Sequence, residues 1–296
     1  MSAAPAAWTD ALEALVRRCA TSLPADIEAA LRAGAAAEGT DSTAGFVLDT
    51  LLRNAACARE DGVPMCQDTG TLTFWFDVPR GTDALALEEA ARTAVARATA
   101  AGFLRQNTSL EPSGASRPDN LSPTHPVVHI HFDAARTDIR ARLLLKGGGS
   151  ENMSRQYSLP DADLGAGRDL EGVRRCLLDA AWRAQGNGCA PGILGVCVGG
   201  DRATGYELAK EQLLRPLGDA SPDPALAALE SRVLAEANAL GIGPMGLGGR
   251  TTLLGVKIAG ASRLPASYFV TVAYVCWACR RGETVLSPAI RFTSAG

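Results

Sequence analysis

Apolar residues recur three and four positions apart through the first sixty residues of the chain, which is the spacing of amphipathic helices. The segments WTDALEALVRRCA, ADIEAALRA and FVLDTLLRNAACARE each show this pattern. Pro24 stands at the start of the second segment, and Asp61-Gly62 follows the third. Residues 1–62 are therefore predicted to be mainly helical.

The pattern changes after residue 62, where strands alternate with helices. Strands are predicted where residues alternate in polarity or are rich in β-branched and aromatic types: TLTFWFDV, VVHIHF, ARLLLK, ILGVCVGG, TTLLGVKIAG, YFVTVAYVCW and TVLSPAIRF. Helices are predicted between them: residues 83–101, GVRRCLLDAAWRA, GYELAKEQLLRPL and ALAALESRVLAEANAL. A polar, proline-rich stretch from Glu111 to Pro126 is predicted to be a surface loop.

These elements favour an α/β fold (mixed α+β), in which a helical N-terminal part is followed by an α/β body with a mixed sheet. We expect a single domain over residues 1–296, with residues 63–296 forming the body. No internal repeat or low-complexity linker divides the chain.

Composition narrows the function classes. Of the 296 residues, 47% are hydrophobic and 21% are charged, and the formal net charge is −3. This composition argues against a disordered chain. Because the chain carries no excess of positive charge, nucleic acid or an anionic membrane is not expected as a partner. No apolar run is long enough to span a bilayer, and MSAAPAAWTDALEALVRR lacks the basic segment of a secretory signal. We therefore expect a cytoplasmic protein.

Two glycine clusters suggest close backbone approach. Gly241–Gly246 has the letter pattern of a dinucleotide fingerprint, but it follows a helix and precedes a strand, so a tight connection is the better interpretation. Gly147, Gly148 and Gly149 follow a strand directly. Their amide groups could bind a small carboxylate, although a structural turn explains them equally well.

The three histidines, His125, His129 and His131, lie within seven residues of one another. His129 and His131 share one face of a predicted strand, as two ligands of one metal could. Polar residues on a strand face are commoner than metal sites, and that interpretation is preferred.

Eight cysteines raise the question of metal or redox chemistry. In a cytoplasmic chain disulfides are not expected. Cys19, Cys176 and Cys197 lie on apolar sides of helix or strand patterns and are predicted to be small buried residues. Cys57 closes a helical pattern and gives no functional signal either.

Cys66, Cys189 and Cys276 differ because each lies at a junction between elements, beside glycine, proline or polar residues. Active-site residues concentrate at such junctions, and thiolates from distant loops can converge there on an iron–sulfur cluster. Their spacing alone decides nothing. Cys276-Trp-Ala-Cys279 also leaves a thiol–disulfide site or half a zinc site as alternatives.

Five runs of sequence together point to a known family: PMCQDTGT, LRQN at Leu104–Asn107, KGGGSENMS, LGIGPMGLGGRTTLLGVKI and CWACRR. They resemble, in the same order and over nearly the whole chain, the α subunit of two-subunit class I fumarate hydratases and L-tartrate dehydratases. The resemblance implies a 4Fe–4S cluster held by Cys66, Cys189 and Cys276, with one iron left without a protein ligand. Cys279 falls where the family needs no ligand.

The resemblance also implies roles for residues around the cluster. Asp68 is the acid/base candidate, and Arg105 matches the arginine that binds a substrate carboxylate. The implied substrate pocket is completed by Gln67, Gly147, Gly148 and Gly149. The implied reaction is the reversible hydration of a fumarate-like dicarboxylate, with fumarate to malate favoured.

Two positions depart from the family pattern. Leu264, counted among the substrate-binding positions, stands where the family usually has a histidine, twelve residues before the third cysteine. Ala190 stands where the family usually has proline. An apolar Leu264 would suit a substituted diacid such as mesaconate, and tartrate or a non-catalytic cluster protein stay as alternatives. The resemblance also implies a separate β-type subunit, in an α2β2 assembly.

Overall fold

A computed structural model describes residues 5–110 and 113–287, and this part of the chain forms two compact units. The first unit comprises the described residues of 1–22, 57–146 and 280–296, and the second comprises residues 23–56 and 147–279. Each unit has its own sheet and its own hydrophobic core. Each is therefore assembled from segments that are distant in sequence.

The first unit is built on a four-stranded mixed sheet. Its strands are β1 Thr71–Val78, β4 Val127–Phe132, β5 Ile139–Lys146 and β10 Arg280–Leu286, in the order β10-β5-β1-β4. β1 is parallel to β4, whereas the β1–β5 and β5–β10 pairs are antiparallel. The helix α4 Ala84–Ala100 lies between β1 and β4 in the chain, because a parallel pair needs a crossover connection. A short hairpin, β2 Ser109–Leu110 and β3 Ala115–Ser116, completes the unit.

The core of the first unit lies between this sheet and the helices α1 Ala6–Thr21 and α4. Leu12 and Leu15 of α1 are fully buried in the same cluster as Phe74 and Phe76 of β1. Burying one such side chain contributes roughly 1.5–3 kcal/mol, so a cluster of this kind holds the helices on the sheet. Position 75 faces the opposite side, where Trp75 stacks on His129 of β4.

The second unit also has a four-stranded mixed sheet. Its strands are β6 Arg155–Ser158, β7 Gly192–Val198, β8 Leu253–Gly260 and β9 Phe269–Val275, in the order β6-β9-β7-β8. β7 is parallel to β8, and β9 is antiparallel to both β7 and β6. The helices of this unit are α2 Ala25–Glu38, α5 Gly148–Asn152, α6 Leu170–Ala184, α7 Arg202–Gln212 and α8 Pro224–Asn238. The helix α3 Thr43–Asp61 carries the chain from the second unit into the first.

Helices cover both faces of the second sheet. Leu194 and Val196 of β7 belong to the core formed with α6 and α8. Gly195 faces the other side, where a Cβ would lie 2.2 Å from the carbonyl oxygen of Ala209 in α7. Because both faces are buried, β7 has a continuous apolar sequence instead of an alternating one.

The predicted fold class is confirmed: a helical N-terminal region precedes a body with mixed sheets. The strand β6 was not predicted, because RQYS is short and polar. β10 begins at Arg280, earlier than predicted, and the end of the predicted strand (288–292) lies outside the described residues, as do Glu111 and Pro112 of the predicted loop. The single domain stays a prediction. No helix within the described ranges is long and apolar enough to cross a membrane.

Candidate active site

Cys189 lies in a tight turn between the 3-10 turn Gln185–Gly188 and β7. Its backbone is left-handed, with a φ of 51°. Non-glycine residues adopt this conformation rarely, and such strain concentrates at functional sites. The Cys189 N–H donates to the Gly186 carbonyl at 3.0 Å, and the side chain is exposed. The turn therefore presents the thiol from a fixed backbone.

The ring of Tyr274 fills the space behind this turn. Tyr274 is 2% exposed, and a Cβ on Gly188 or Gly192 would lie 2.5 Å or 2.3 Å from its ring atoms. Only glycine leaves room for the ring at these two positions. Burial raises the pKa of the Tyr274 hydroxyl, and the neighbouring Cys276 and Cys189 raise that pKa further. Tyr274 is therefore neutral and acts as a wedge that shapes the turn.

Cys276 follows β9 directly and lies at the same end of the sheet as Cys189. The pairing of Ile193 with Val275 brings the start of β7 beside the end of β9. The Trp277 N–H then donates to the Cys189 carbonyl at 3.2 Å. Cys276 is half-buried. The antiparallel register of two strands thus brings together two cysteines that are 87 residues apart in sequence.

The glycine cluster lies at this end of the sheet as well. Gly148 and Gly149 begin the short helix α5, and Gly147 precedes it. Ser150 of α5 accepts a hydrogen bond from the Cys276 N–H at 3.1 Å. A Cβ on Gly149 would lie 3.9 Å from the carbonyl oxygen of Asn187, two residues before Cys189. The second unit therefore brings Gly147–Gly149, Cys189 and Cys276 together.

The first unit holds Cys66, Gln67 and Asp68 in the loop between α3 and β1. Cys66 and Asp68 are half-buried, and Gln67 is exposed. The Asp68 Oδ1 accepts hydrogen bonds from the Asn107 Nδ2 and from the Gly70 N–H, both at 3.0 Å. Two donors on one oxygen fix the direction of the carboxylate.

Arg280 holds the backbone of the same loop through a hydrogen bond. It is 2% exposed, and its Nη2 donates to the main-chain carbonyl of Asp68 at 2.7 Å. A hydrogen bond from a charged group is stronger than one between neutral groups. The buried guanidinium therefore anchors the backbone of Asp68, whereas Asn107 holds its side chain.

Arg105 lies beside this loop, and its side chain is exposed. The hydroxyl of Thr69 accepts from the Arg105 N–H at 2.7 Å and lies 3.3 Å from the Arg105 carbonyl, to which it donates. Thr69 is next to Asp68 in the chain, so its hydroxyl links the backbone of Arg105 to the loop that carries Asp68. The first unit thus brings Cys66, Gln67, Asp68 and Arg105 into one loop region.

Leu264 lies apart from the group that Gly147–Gly149, Cys189 and Cys276 form in the second unit. It lies in the exposed loop 261–268 between β8 and β9, with 75% of its surface exposed. This loop is at the opposite end of the second sheet from Cys189 and Cys276, because β9 begins after it and ends at Val275. Its open surface there is shared with Arg202, Arg263 and Phe269.

The remaining cysteines are mostly buried, as predicted for Cys19, Cys176 and Cys197. Burial raises the pKa of the Cys176 thiol to about 12 and that of Cys197 to about 11, so neither is a ready thiolate. Cys279 is fully buried, which disfavours a thiol–disulfide site with Cys276. Cys57 is exposed on α3.

The three histidines have different neighbours in the described part of the chain. The ring of His129 stacks on Trp75, and the Nδ1 of His131 lies 3.6 Å from the Asp77 carboxylate. Burial, and then the nearby Arg92, lower the pKa of His125. Across residues 5–110 and 113–287, no three His, Cys, Asp or Glu side chains gather closely enough to hold one metal ion.

Sequence reasoning missed three polar residues of the first unit: Asn107, Asn120 and Arg280. Asn107 and Arg280 lie inside the LRQN and CWACRR runs, so the motifs contained them without indicating a role. Asn120 lies in the predicted surface loop, and no local pattern marks it, since its bonding partners are 12 to 21 residues away.

Comparison with known proteins finds one family model and several relatives that match most of this chain. Residues 9–285 match the family model for fumarate hydratase (Fumerase). The chain is 45% identical over 278 residues to a protein of Geobacillus stearothermophilus named fumarate hydratase class I, covering 93% of this chain and 54% of that protein. It is 32% identical to a protein of Methanocaldococcus jannaschii and 30% identical to one of Escherichia coli K12, both named L(+)-tartrate dehydratase subunit alpha.

These matches differ in coverage. The chain spans about half the length of the Geobacillus stearothermophilus protein, but 92% of this chain matches 95% and 88% of the two alpha subunits.

Proposed function

Because the chain belongs to the fumarate hydratase (Fumerase) family, we propose that it is the α subunit of an iron–sulfur hydro-lyase. Its reaction is the reversible hydration of a fumarate-like dicarboxylate, with fumarate and malate as the pair. One observation carries the proposal: the second unit brings Cys189, Cys276 and Gly147–Gly149 together at one end of its sheet. Cysteines beside backbone amides suit an anionic cluster and an anionic substrate.

In this proposal Cys66, Cys189 and Cys276 bind the 4Fe–4S cluster. Their thiols fit that role because all three are at least partly exposed at loop junctions, whereas four of the other five cysteines are buried. Each cysteine of such a cluster binds a different iron, so the three need not gather as the ligands of one ion do. When bound, the cluster supplies a Lewis-acidic iron that polarises the substrate hydroxyl.

The residues of the first unit provide the proton transfer and a charge partner. Asp68 would move the proton at the substrate carbon, and the two hydrogen bonds to its Oδ1 leave its carboxylate oriented. Arg105 would bind a substrate carboxylate through its planar guanidinium. Gln67 and the glycines Gly147, Gly148 and Gly149 would complete the polar surface around the diacid.

Leu264 is the least supported of the proposed substrate contacts. Its place at the far end of the second sheet separates it from Cys189 and Cys276. It stays a prediction, and with it the idea that a substituted diacid such as mesaconate is preferred. Tartrate is the second candidate substrate, since two relatives are named for it.

A separate β-type subunit, in an α2β2 assembly, is part of the proposal. The names of the two alpha-subunit relatives support it. We also propose a cytoplasmic location, where reducing conditions keep cysteines available as ligands.

The test is an anaerobic assay of the chain purified together with a β-type subunit, using fumarate, mesaconate and tartrate separately. We expect fumarate to be hydrated, and Asp68→Asn to lower kcat by about 10²–10⁴-fold. Asp49→Asn, on the exposed surface of α3, is the matched control and should leave kcat unchanged. A preparation with a full cluster that converts none of the three diacids would contradict the enzyme and favour a non-catalytic cluster protein.

A further inference from the structure

Asn120 is a buried amide whose hydrogen-bonding capacity is fully used. It is 1% exposed and has a left-handed backbone, with a φ of 58°. Its Oδ1 accepts from the N–H groups of Asn107 and Thr108, at 2.8 Å and 3.0 Å. Its Nδ2 donates to the Thr99 hydroxyl at 3.0 Å and to the Arg105 carbonyl at 2.8 Å. A primary amide has two donor hydrogens and two acceptor lone pairs, and all four are engaged.

Three of these four bonds go to the backbone of residues 105–108. The same segment is held on its other side by the hydroxyl of Thr69, which bonds the Arg105 N–H and carbonyl. This segment has no regular secondary structure, so the bonds from Asn120 and Thr69 take the place of a helix or strand ladder. Arg105 therefore extends from a backbone that is fixed although its own side chain is exposed.

The segment also reaches Asp68. Asn107, whose N–H is bonded to Asn120, turns its side chain to the Asp68 Oδ1 at 3.0 Å. The buried amide of Asn120 therefore holds the backbone of two residues, Arg105 and Asn107. Asn107 in turn orients the carboxylate of Asp68. The left-handed backbone of Asn120 is one that asparagine and glycine accept more readily than other residues.

We propose that Asn120 is a positioning residue of the active site, which sets Arg105 for carboxylate binding and, through Asn107, sets Asp68 for proton transfer. This inference rests on the proposed function for the roles of Arg105 and Asp68. The hydrogen bonds that hold the backbone of Arg105 and Asn107 do not depend on the proposed function, because they are present whatever the substrate is. Asn120 touches no substrate in this account.

Asn120→Gly tests the role, because glycine accepts the left-handed backbone and removes all four bonds. The matched control is Asn238→Ala in the second unit. The Asn238 amide likewise accepts from two consecutive N–H groups, of Thr252 and Leu253, and donates to the Leu253 carbonyl. Both variants lose a comparable amide, so a general loss of stability affects both.

Hydrogen exchange of the full chain is the readout that does not depend on activity. Asn120→Gly should accelerate exchange of the Asn107 and Thr108 amides about tenfold or more, since each loses its acceptor. Asn238→Ala should leave these amides unchanged. Equal exchange at residues 107 and 108 in wild type and Asn120→Gly would overturn the positioning role, even if the chain proves not to be a hydro-lyase.

Kinetics of the complex with the β-type subunit, at equal cluster content and with fumarate as the probe, separate positioning from mere folding. Asn120→Gly should raise KM and lower kcat, together about ten- to a hundredfold in kcat/KM, because the backbone of both Arg105 and Asn107 loses bonds that hold it. Asn107→Ala should lower kcat with a smaller change in KM, because it removes a hydrogen bond from Asp68 and none from Arg105. If the two variants change KM equally, Asn120 does not act through Arg105. If wild type shows no activity, the proposed function fails, and hydrogen exchange alone decides for or against the inference.

Discussion

Two kinds of residue hold the loops that carry the site residues. In the second unit the ring of Tyr274 fills the turn around Cys189, and Gly188 and Gly192 make room for it. In the first unit, Asn120 and Thr69 bond the backbone beside Arg105. Tyr274 acts through packing, and Asn120 and Thr69 act through hydrogen bonds, but each holds the backbone beside a predicted site residue. The residues that orient the site are therefore more deeply buried than the residues assigned to the chemistry.

Gly192→Ala tests whether Tyr274 packs as a wedge behind the Cys189 turn. The added Cβ would overlap the Tyr274 ring, so we expect a loss of about 1–3 kcal/mol in the free energy of unfolding, measured by chemical denaturation. Gly218→Ala is the control, since a Cβ there meets nothing within 4 Å, and its change should stay within about 0.5 kcal/mol. Tyr274→Leu added to Gly192→Ala should recover part of the loss. Equal stability of the two glycine variants would refute the wedge.

The helices α6 and α8 of the second unit are held together by ion pairs as well as by their shared core. Arg174 of α6 pairs with Glu171 on its own helix and with Glu236 on α8, and Arg232 of α8 pairs with both glutamates. Hydrogen bonds from Arg174 lower the pKa of Glu171 to about 2, well below its ordinary value of 4.5. The four side chains form a network across two helices, which holds better than isolated surface pairs do.

The ion pairs of this helix pair should make the protein less stable at acidic pH. Because the pKa of Glu171 is lower in the folded protein than in the unfolded chain, its contribution is complete above about pH 4.5 and is lost as the pH falls toward about 2. Glu171→Gln should therefore lose less stability than wild type between about pH 6 and about pH 3, by denaturant titration at each pH. Glu60→Gln, an exposed glutamate of α3, should behave as wild type does. An unchanged pH slope in Glu171→Gln would show that the ion pairs of Glu171 contribute nothing to stability.

The elements were the part of the fold most accessible from sequence. TLTFWFDV and YFVTVAYV alternate or are apolar throughout, and they form β1 and β9. RQYS carries no such signal, and it becomes β6 only because β9 offers an edge to pair with. Asn120 shows the same limit at a site, since its role comes from partners that the fold brings to it and not from its own neighbours in sequence.

The residues that the motifs indicated belong to two compact units of the molecule. Cys66, Asp68 and Arg105 belong to the first unit, and Cys189, Cys276 and the glycines to the second. Within the second unit the grouping follows from strand register, which no spacing of the cysteines could reveal. Leu264 illustrates the converse, because it was predicted to contact substrate from its alignment with a histidine of the family, and its loop lies at the opposite end of the sheet from the two cysteines.

We have proposed that Cys66, Cys189 and Cys276 hold one 4Fe–4S cluster. The iron and acid-labile sulfide content of the anaerobically reconstituted chain, with its EPR spectrum, tests this ligand set in Cys66→Ser, Cys189→Ser and Cys276→Ser. Cys57→Ser is the control, because Cys57 is also exposed and has no proposed role. We expect about four irons per chain in wild type and in the control, and loss of the cluster in each of the three variants. If all three variants kept about four irons and the wild-type spectrum, the proposed ligand set would be wrong.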